Sequence, residues 1–234
     1  MDHPIIKVEN LSVRLEGQEI IHDVSFEINP REVLAIIGPN GSGKTVLLKS
    51  LLGIIKPSGG EIDWMPNIRI GYLPQRFNVD KYLPMTVGEF LNLKSEKSYK
   101  LEDALKMVGF EKKALQKSLA YLSGGEMQKT LLAWAIMDDP QILLFDEPTE
   151  NVDPISEESI YRLLHDLQAR LGIAMIIVSH DLHVVYRYAN NVLCLNKKAV
   201  CYGAPKETLT KESLVELYGE HAHFHHHHSE ENRS

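Results

Sequence analysis

Hydrophobic and polar positions alternate in the first part of the chain. From Glu19 to Ile28, apolar residues fall on one side at a period of two, which is typical of a half-buried strand. These apolar residues are Ile20, Val24, Phe26 and Ile28. The segment from Ile5 to Leu15 has a similar pattern, and the residues at 16–18 (Glu-Gly-Gln) predict a turn. The pattern therefore predicts two strands joined by a short turn.

Fully apolar runs replace this alternation further along the chain. Val33 to Ile37 is such a run; a glycine follows at once, and Lys44 to Leu52 has a helical pattern. Two similar runs, Ile142 to Phe145 and Ala174 to Val178, are each bounded by helical patterns. Strands that are apolar throughout are typical of a parallel sheet covered on both faces. The order strand, glycine loop, helix predicts the opening unit of an α/β fold.

The segment between Arg76 and Asp139 has a different character. Its pattern is helical and of mixed charge, with breaks at Pro84 and at 95–99. We interpret it as a helical subdomain, at about 76–139, that is inserted into the sheet domain. No internal repeat is found, so we expect one functional unit over residues 1–220 and a separate histidine-rich tail at 221–234.

Composition excludes several classes of protein. With 234 residues, 44% of them hydrophobic and 24% charged, the chain is large and apolar enough to bury a core. The formal net charge of −7 argues against a protein that coats nucleic acid, which needs a basic face. We therefore expect no nucleic-acid partner, although a local nucleotide site remains compatible with this charge.

The number of cysteines and the hydropathy pattern indicate in which cellular compartment the chain functions. The two cysteines, Cys194 and Cys201, are too few for a disulfide framework, and this usage is typical of a reducing compartment. Their apolar surroundings predict core positions rather than metal ligands. The first ten residues lack a basic start and an apolar run, which predicts no secretory signal. The longest apolar stretch, Leu131 to Met137, is far shorter than the roughly 20 residues that span a bilayer.

The glycine-rich segment after the first apolar strand carries the strongest chemical signal. Gly38 to Thr45 matches the pattern G-x-x-x-x-G-K-[ST] without a mismatch. Glycines allow backbone N–H groups to turn inward around phosphate oxygens, and the helix that follows points its positive end at the same anion. Lys44 would neutralise the β and γ phosphates, and the Thr45 hydroxyl would bind Mg²⁺. The predicted ATP-binding residues here are Gly38, Pro39, Asn40, Gly41, Ser42, Gly43, Lys44, Thr45 and Val46.

Two acids end the apolar strand at Ile142 to Phe145. A buried strand tolerates carboxylates only at its end, where water or a cation solvates them. We expect Asp146 to hold the Mg²⁺ shell and Glu147 to polarise the water that attacks the γ phosphate. An exposed strand end with two solvated charges is the alternative, which the neighbouring phosphate loop makes weaker.

A third motif lies between these two. The residues at 122–126 (Leu-Ser-Gly-Gly-Glu) open a helix that is predicted to run to about Met137, and Ser123 would cap it. A helix cap is the ordinary explanation. However, the order of phosphate loop, LSGGE and acid-ended strand resembles that of ATP-binding cassette (ABC) proteins over roughly residues 5 to 220. The resemblance implies a P-loop NTPase fold: a mixed, largely parallel sheet, N-terminal antiparallel strands and an inserted helical subdomain.

The resemblance also implies roles for further residues. Gln75 matches the glutamine that senses Mg²⁺ and the γ phosphate, so Thr45, Gln75 and Asp146 are the implied Mg²⁺ set. His180 matches the switch histidine, and Asp153 matches an aspartate that reaches across a dimer. Two copies would pair head to tail, with Ser123, Gly124, Gly125 and Asp153 acting on the ATP held by the partner. Hydrolysis would open this homodimer and drive two permease subunits at the inner face of the membrane.

Two positions depart from the family pattern. Leu15 lies where family members usually have an aromatic residue that stacks on adenine, which implies weaker base stacking here. Asn151 lies in the dimer-crossing loop where many members have a small residue.

A narrower resemblance points to one transport class. Residues 179–205, and Leu217-Tyr218-Gly219-Glu220 before a histidine-rich tail, are similar to the ATPase subunits of zinc and manganese uptake transporters, zinc especially. This similarity implies an importer that receives metal through its permease from an extracytoplasmic binding protein. The alternatives are a manganese, iron-siderophore or cobalamin importer, a soluble ABC ATPase acting on ribosomes or DNA, and a scaffold with a degenerate cassette.

The tail contains six of the 11 histidines. They are His221, His223, His225, His226, His227 and His228. Neutral imidazoles at this density bind Zn²⁺ or Ni²⁺, which predicts a metal site. An affinity tag is the alternative, but Ala222 and Phe224 interrupt the run and the chain continues to Ser234, which favours a native tail.

Overall fold

The computed structural model describes residues 3–75, 77, 84–94, 97–147 and 154–219, without the side chains of 154–157. The strands are β1 Ile6–Leu15, β2 Gln18–Ile28, β3 Val33–Ile37, β4 Gly59–Trp64, β5 Ile70–Leu73, β6 Ile142–Asp146, β7 Ala174–Val178, β8 Asn191–Asn196 and β9 Lys198–Gly203. The helices are α1 Lys44–Leu51, α2 Val87–Asn92, α3 Leu101–Met107, α4 Gly124–Ile136, α5 Pro154–Leu171, α6 Leu182–Tyr188, α7 Pro205–Thr208 and α8 Lys211–Tyr218. The α/β fold that the sequence predicts is confirmed.

The central sheet positions the candidate site. Its strand order is β5-β6-β7-β3-β8-β9; all neighbours are parallel except the final hairpin of β8 and β9. Every residue of β3, β6 and β7 is buried, as expected for strands covered on both faces. Because β3, β6 and β7 are parallel and adjacent, the segments that follow them meet at one edge of the sheet.

The N-terminal strands form a separate antiparallel sheet with the order β2-β1-β4. The alternation predicted for β2 is wrong at one position: Ile21 is fully buried, whereas Ile20 is half-buried. The physical reason is a register shift between β1 and β2 on either side of the Leu11–Val24 pair, next to Asp23 with φ +51°. The shift leaves Ile20 at the edge of the core, where it also lies beside the phosphate loop.

The segment between β5 and β6 is helical where it is described. It contains α2, α3, α4 and two short 3₁₀ turns, and the buried side chains of these elements join one apolar cluster with β6 and α5. Thr86 begins α2 with a reciprocal capping box, in which its hydroxyl accepts the Glu89 N–H and the Glu89 carboxylate accepts the Thr86 N–H. The boundaries 1–220 and 76–139 and a separate tail remain predictions.

The cysteines differ from the expectation of two unlinked core residues. Cys194 lies in β8 directly opposite Cys201 in β9, with Cα atoms 4.8 Å apart, and the two are joined by a disulfide. Antiparallel pairing brings the side chains together, which spacing along the chain did not reveal. Cys194 is fully buried, so its predicted core position is correct.

Within the described residues, no helix combines the length and the apolar character that crossing a membrane requires.

Candidate functional site: a phosphate loop and two strand-end carboxylates

The phosphate loop connects β3 to α1 over Gly38 to Gly43. Gly43 precedes the first residue of α1 and has φ +104°, a conformation that a residue with a Cβ rarely adopts. A Cβ at Gly43 would also lie 3.2 Å from the Ile20 carbonyl oxygen and 3.2 Å from a side-chain carbon of Ile21. The glycine therefore lets strand β2 approach the start of the helix closely, which places Ile20 beside the loop.

Lys44 begins α1 and is almost completely buried. Its Nζ donates to the carbonyl oxygens of Gly38 at 2.8 Å and Pro39 at 3.1 Å, and lies 3.8 Å from Glu147 Oε1. Burial lowers the pKa of this ammonium, although the charges of Glu147 and Asp146 oppose that effect. The loop thus holds a buried cation on its own carbonyl oxygens, where an incoming phosphate can take over the contact.

The Asp146 carboxylate at the end of β6 meets the first turn of α1. Thr45 Oγ1 donates to Asp146 Oδ1 at 3.1 Å, and Asp146 is only 1% exposed. Burial raises the pKa of Asp146; the hydrogen bond from Thr45 opposes the rise, and the charge of Glu147 adds to it. A hydroxyl and a buried carboxylate that resists ionisation form a donor set that a hard divalent cation would stabilise. The residues present therefore fit Mg²⁺.

Glu147 and Gln75 meet across the mouth of the site. Gln75 Nε2 donates to Glu147 Oε2 at 3.0 Å, although the two residues are 72 positions apart in sequence. Glu147 is mostly buried and has φ +48°, a left-handed conformation that few residues other than glycine adopt. The carboxylate is thus held between the amide of Gln75 and the ammonium of Lys44.

These groups surround a cavity of about 450 Å³. It is lined by Ile20, Asn40, Gly41, Ser42, Gly43, Lys44, Thr45, Val46, Gln75 and Glu147. Ser42 Oγ is buried there without a hydrogen-bond partner among the described atoms, which is costly unless a ligand supplies one. A glycine cradle, a buried ammonium and an unpaired buried hydroxyl together fit a triphosphate.

His180 follows β7 at the same edge of the sheet. Val178 is paired with both Ile36 and Asp146, and the Ser179 N–H donates to the Ile36 carbonyl oxygen at 3.1 Å. The next residue, His180, is exposed and is not among the described residues that line the cavity. The structure therefore brings His180 to the edge of the sheet where Asp146 lies, but does not place it in the cavity.

The LSGGE segment begins α4 as predicted. Ser123 Oγ accepts the Glu126 N–H at 3.3 Å, and the Glu126 carboxylate accepts the Ser123 N–H at 3.0 Å and pairs with Lys117. Ser123 and Gly124 are exposed, and Gly125 is partly exposed. None of the three is among the described residues that line the cavity at Lys44.

Some predicted residues lie outside the described part of the chain. Asp153 and Asn151 are among them, as are all six histidines of the tail, so their predicted roles stay predictions.

Sequence reasoning also missed one residue, Ile20, which lines the cavity although the alternation assigned it to the core. In the sequence, Asp23 is an acid within an otherwise alternating strand, and it could have indicated that the alternation is interrupted there.

Comparisons with known proteins agree with this geometry. The family model described as ABC transporter matches residues 21–150. A protein of Cereibacter sphaeroides named zinc import ATP-binding protein ZnuC is 41% identical over 216 residues, which cover 92% of this chain and 88% of that protein. The protein of the same name from Pseudomonas aeruginosa is 39% identical over 233 residues, covering 97% of this chain and 86% of its own length.

A solved structure supports the same conclusion. It is a dimeric ATP-binding cassette in a post-hydrolysis state, bound to ADP and Pi, with a TM-score of 0.72 and 25% identity. The match covers 86% of this chain and 98% of that one. On the family match, the relatives and the intact phosphate site, the chain belongs to the ABC transporter family and is an ATP-binding ATPase of that family.

Proposed function

We propose that the chain is the ATP-hydrolysing subunit of an importer that takes up a divalent metal ion, zinc, through a separate membrane permease. The observation that carries this proposal is the similarity to proteins named zinc import ATP-binding protein, at about 40% identity over more than nine-tenths of the chain. In this arrangement the subunit lies against the cytoplasmic face of the membrane. The extracytoplasmic metal-binding protein acts on it only through the permease.

ATP binding uses the groups of the phosphate loop. The backbone N–H groups from Asn40 to Val46 surround the β and γ phosphates, and the positive end of α1 adds to their field. Lys44 exchanges its contacts with the carbonyl oxygens of Gly38 and Pro39 for phosphate oxygens. Ser42 Oγ gains the partner that it lacks among the described atoms.

Thr45, Asp146 and Gln75 are the residues that would hold Mg²⁺. Mg²⁺ supplies charge neutralisation on the β and γ phosphate oxygens. Asp146 is held against Thr45 by their hydrogen bond, so the hydroxyl and the carboxylate are oriented together before nucleotide arrives. Gln75 is held by Glu147, which links this donor set to the hydrolytic residue.

Glu147 is the proposed general base. Its carboxylate orients a water molecule and accepts a proton as the water oxygen bonds to the γ phosphorus. The bond from the γ phosphorus to the β–γ bridging oxygen breaks, and ADP and phosphate leave. His180, at the end of the strand beside β6, is the proposed contact to the γ phosphate.

A second copy completes the site in this proposal. The exposed N-terminus of α4, with Ser123, Gly124 and Gly125, covers the γ phosphate bound by the partner, and Asp153 contributes to the same contact. The dimeric solved relative supports this pairing. Hydrolysis removes the phosphate bridge, the homodimer opens, and Gln75 and the helical region transmit the change to the permease.

A metal-uptake assay tests the proposal. A strain from which the gene is deleted is grown with a zinc chelator and complemented with the wild-type chain or with Lys44→Ala. The proposal predicts that the wild-type chain alone restores growth and cellular zinc, measured by elemental analysis. Restoration of manganese, iron or cobalamin uptake with no change in zinc would overturn the assignment of zinc, and unchanged growth and metal content would overturn transport.

We also propose that the tail histidines, His221, His223 and His225 to His228, bind zinc. Isothermal titration of the full chain against a variant that ends at Glu220 tests this. We expect zinc binding that disappears on truncation. Equal binding by both chains would place the zinc elsewhere, and no binding by either would refute the site.

A further inference from the structure

The carboxylate of Glu126 lies at the start of α4, where the proposed pairing requires an anion to bind. One of its oxygens, Oε2, accepts the Ser123 N–H at 3.0 Å. The capping bonds use the N–H groups of Ser123 and Glu126, and the N–H groups of Gly124 and Gly125 take no part in them. A negative charge within hydrogen-bond distance of the helix start would repel the phosphates of a nucleotide held by a second copy.

Lys117 pairs with the other oxygen of this carboxylate. Its Nζ donates to Glu126 Oε1, and this hydrogen bond is the main cause that lowers the pKa of Glu126. The carboxylate is therefore ionised at neutral pH, and the ammonium beside it balances its charge. Lys129, one turn further along α4, is engaged elsewhere, because its Nζ lies over the Phe110 ring, 5.8 Å from the ring centre.

The backbone holds Lys117 in place for this contact. The Lys117 N–H donates to the Ala114 carbonyl oxygen at 3.0 Å, and the Lys117 carbonyl oxygen accepts the Val87 N–H at 2.9 Å. The next residue, Ser118, forms a β-bridge with Thr86, the residue that caps α2. Lys117 thus reaches the start of α4 from a segment that is anchored on α2.

The pair contributes little to the stability of the single chain. The side chains of Lys117 and Glu126 are 46% and 30% exposed, and ion pairs at such positions are worth little because water screens them. A second copy that covers the start of α4 would remove part of this water and strengthen every charge interaction there. The balance of charge at this helix start therefore matters most in the dimer.

We propose that Lys117 is a positioning residue for the ATP-dependent dimer: it acts through Glu126, whose charge it neutralises, so that the start of α4 accepts the triphosphate held by the second copy. This inference rests on the proposed head-to-tail pairing and adds to it a residue outside the matched motifs. Without Lys117, an unbalanced carboxylate would oppose the positive end of the helix dipole that attracts the phosphate.

Two lysine substitutions in the Glu147→Gln chain test this proposal, because slow hydrolysis lets an ATP-bound dimer accumulate. We expect Lys117→Met to raise the dissociation constant of the dimer about 10-fold, measured by sedimentation equilibrium with ATP and Mg²⁺ in about 0.05 M salt. Lys113→Met is the matched control, since it removes the same charge from the same segment and Lys113 pairs with Glu111 at an exposed position. The control should leave the dissociation constant within about twofold of the parent value.

A compensating substitution separates charge neutralisation from a purely structural role. Glu126→Gln removes the charge but keeps an oxygen that can accept the Ser123 N–H. The double variant with Lys117→Met and Glu126→Gln should return to within about threefold of the parent dissociation constant, although the ion pair is gone. The defect of Lys117→Met alone should also shrink when the salt is raised to about 0.5 M.

The results that would overturn this role differ from those that would overturn the pairing. If the parent chain dimerises with ATP and Lys117→Met dimerises equally well, the role of Lys117 is refuted and the pairing stands. A double variant as weak as Lys117→Met would refute neutralisation of Glu126 as the reason for the effect. A parent chain that stays monomeric with ATP bound would refute the pairing, and the role of Lys117 with it.

Discussion

The helix starts of α1 and α4, which both contain glycine, differ in the groups that surround them. The start of α1 is surrounded by a buried ammonium, two carboxylates and an unpaired buried hydroxyl, which belong to Lys44, Asp146, Glu147 and Ser42. The start of α4 is exposed, and its reciprocal capping bonds pair only the N–H groups of Ser123 and Glu126.

The first helix start therefore carries both the binding groups and the proposed hydrolytic carboxylate, around a cavity that is already formed. The second has backbone donors and a helix dipole that suit an anion, and no buried cation or carboxylate lies at it among the described residues. The two are complementary, which is the arrangement expected if each site is completed by a second copy.

The largest effect should come from the hydrolytic carboxylate of the first helix start. We expect Glu147→Gln to lower kcat at least ~100-fold, because an amide cannot accept the proton of the attacking water. The ATP affinity should stay within about threefold, since the amide retains the shape of the side chain. Steady-state phosphate release and nucleotide titration measure the two quantities, and near-normal turnover would remove Glu147 from this role.

A smaller effect is expected when the second helix start is blocked. Ser123→Arg introduces a large cation at an exposed position and should weaken ATP-dependent dimerisation at least ~10-fold while ATP binding by the monomer persists. Gln116→Arg makes the same charge change at another exposed position of the helical region and serves as the control. Gel filtration with ATP compares the two, and a dimer that persists in Ser123→Arg would break the proposed pairing.

A substitution at residue 15 offers a gain of function. Leu15, at the end of β1, is 37% exposed, and the family resemblance implies that the adenine base stacks at this position. We expect Leu15→Tyr to tighten ATP binding about 2- to 10-fold through stacking on the base. Arg14→Tyr, on the opposite face of the same strand, is the matched control. Equal ATP affinities for the wild type, Leu15→Tyr and Arg14→Tyr would indicate that the adenine base does not stack at residue 15.

The smallest effect concerns stability without nucleotide. Burial raises the pKa of Asp146, so ionisation of this carboxyl group costs the folded state more than the unfolded state. We expect Asp146→Asn to raise the Tm of the nucleotide-free chain by about 2 to 4 °C, the shift that ~1 kcal/mol gives at this size.

The pH dependence provides the check. A raised pKa in the folded state means that the folded chain binds this proton more tightly, so the wild type gains stability relative to Asp146→Asn as the pH falls through the folded-state pKa. The difference in Tm between the two chains should therefore narrow. A difference in Tm that does not change with pH would contradict a raised pKa of Asp146 in the folded chain.

The phosphate loop was predictable because its information is local. Eight consecutive residues carry it, and the preceding apolar run and the following helix fix its place in the fold. The strands β3, β6 and β7 were equally predictable, since strands buried on both faces leave an unbroken apolar pattern.

Contacts between distant segments were not predictable from the residues alone. The bond from Gln75 to Glu147 joins positions 72 residues apart, and the disulfide of Cys194 and Cys201 depends on the register of a hairpin. The error at Ile20 arose because a register shift breaks the period of two, and periodicity assumes that no such shift occurs.

The central claim is that nucleotide joins two copies of this chain. The most direct measurement is small-angle scattering of the Glu147→Gln variant with excess ATP and Mg²⁺ over a series of protein concentrations. The bound nucleotide is quantified in each sample. The account predicts a particle of twice the monomer mass that contains two ATP molecules and returns to monomers when ATP is removed. Monomers that are fully loaded with ATP at every protein concentration would contradict it.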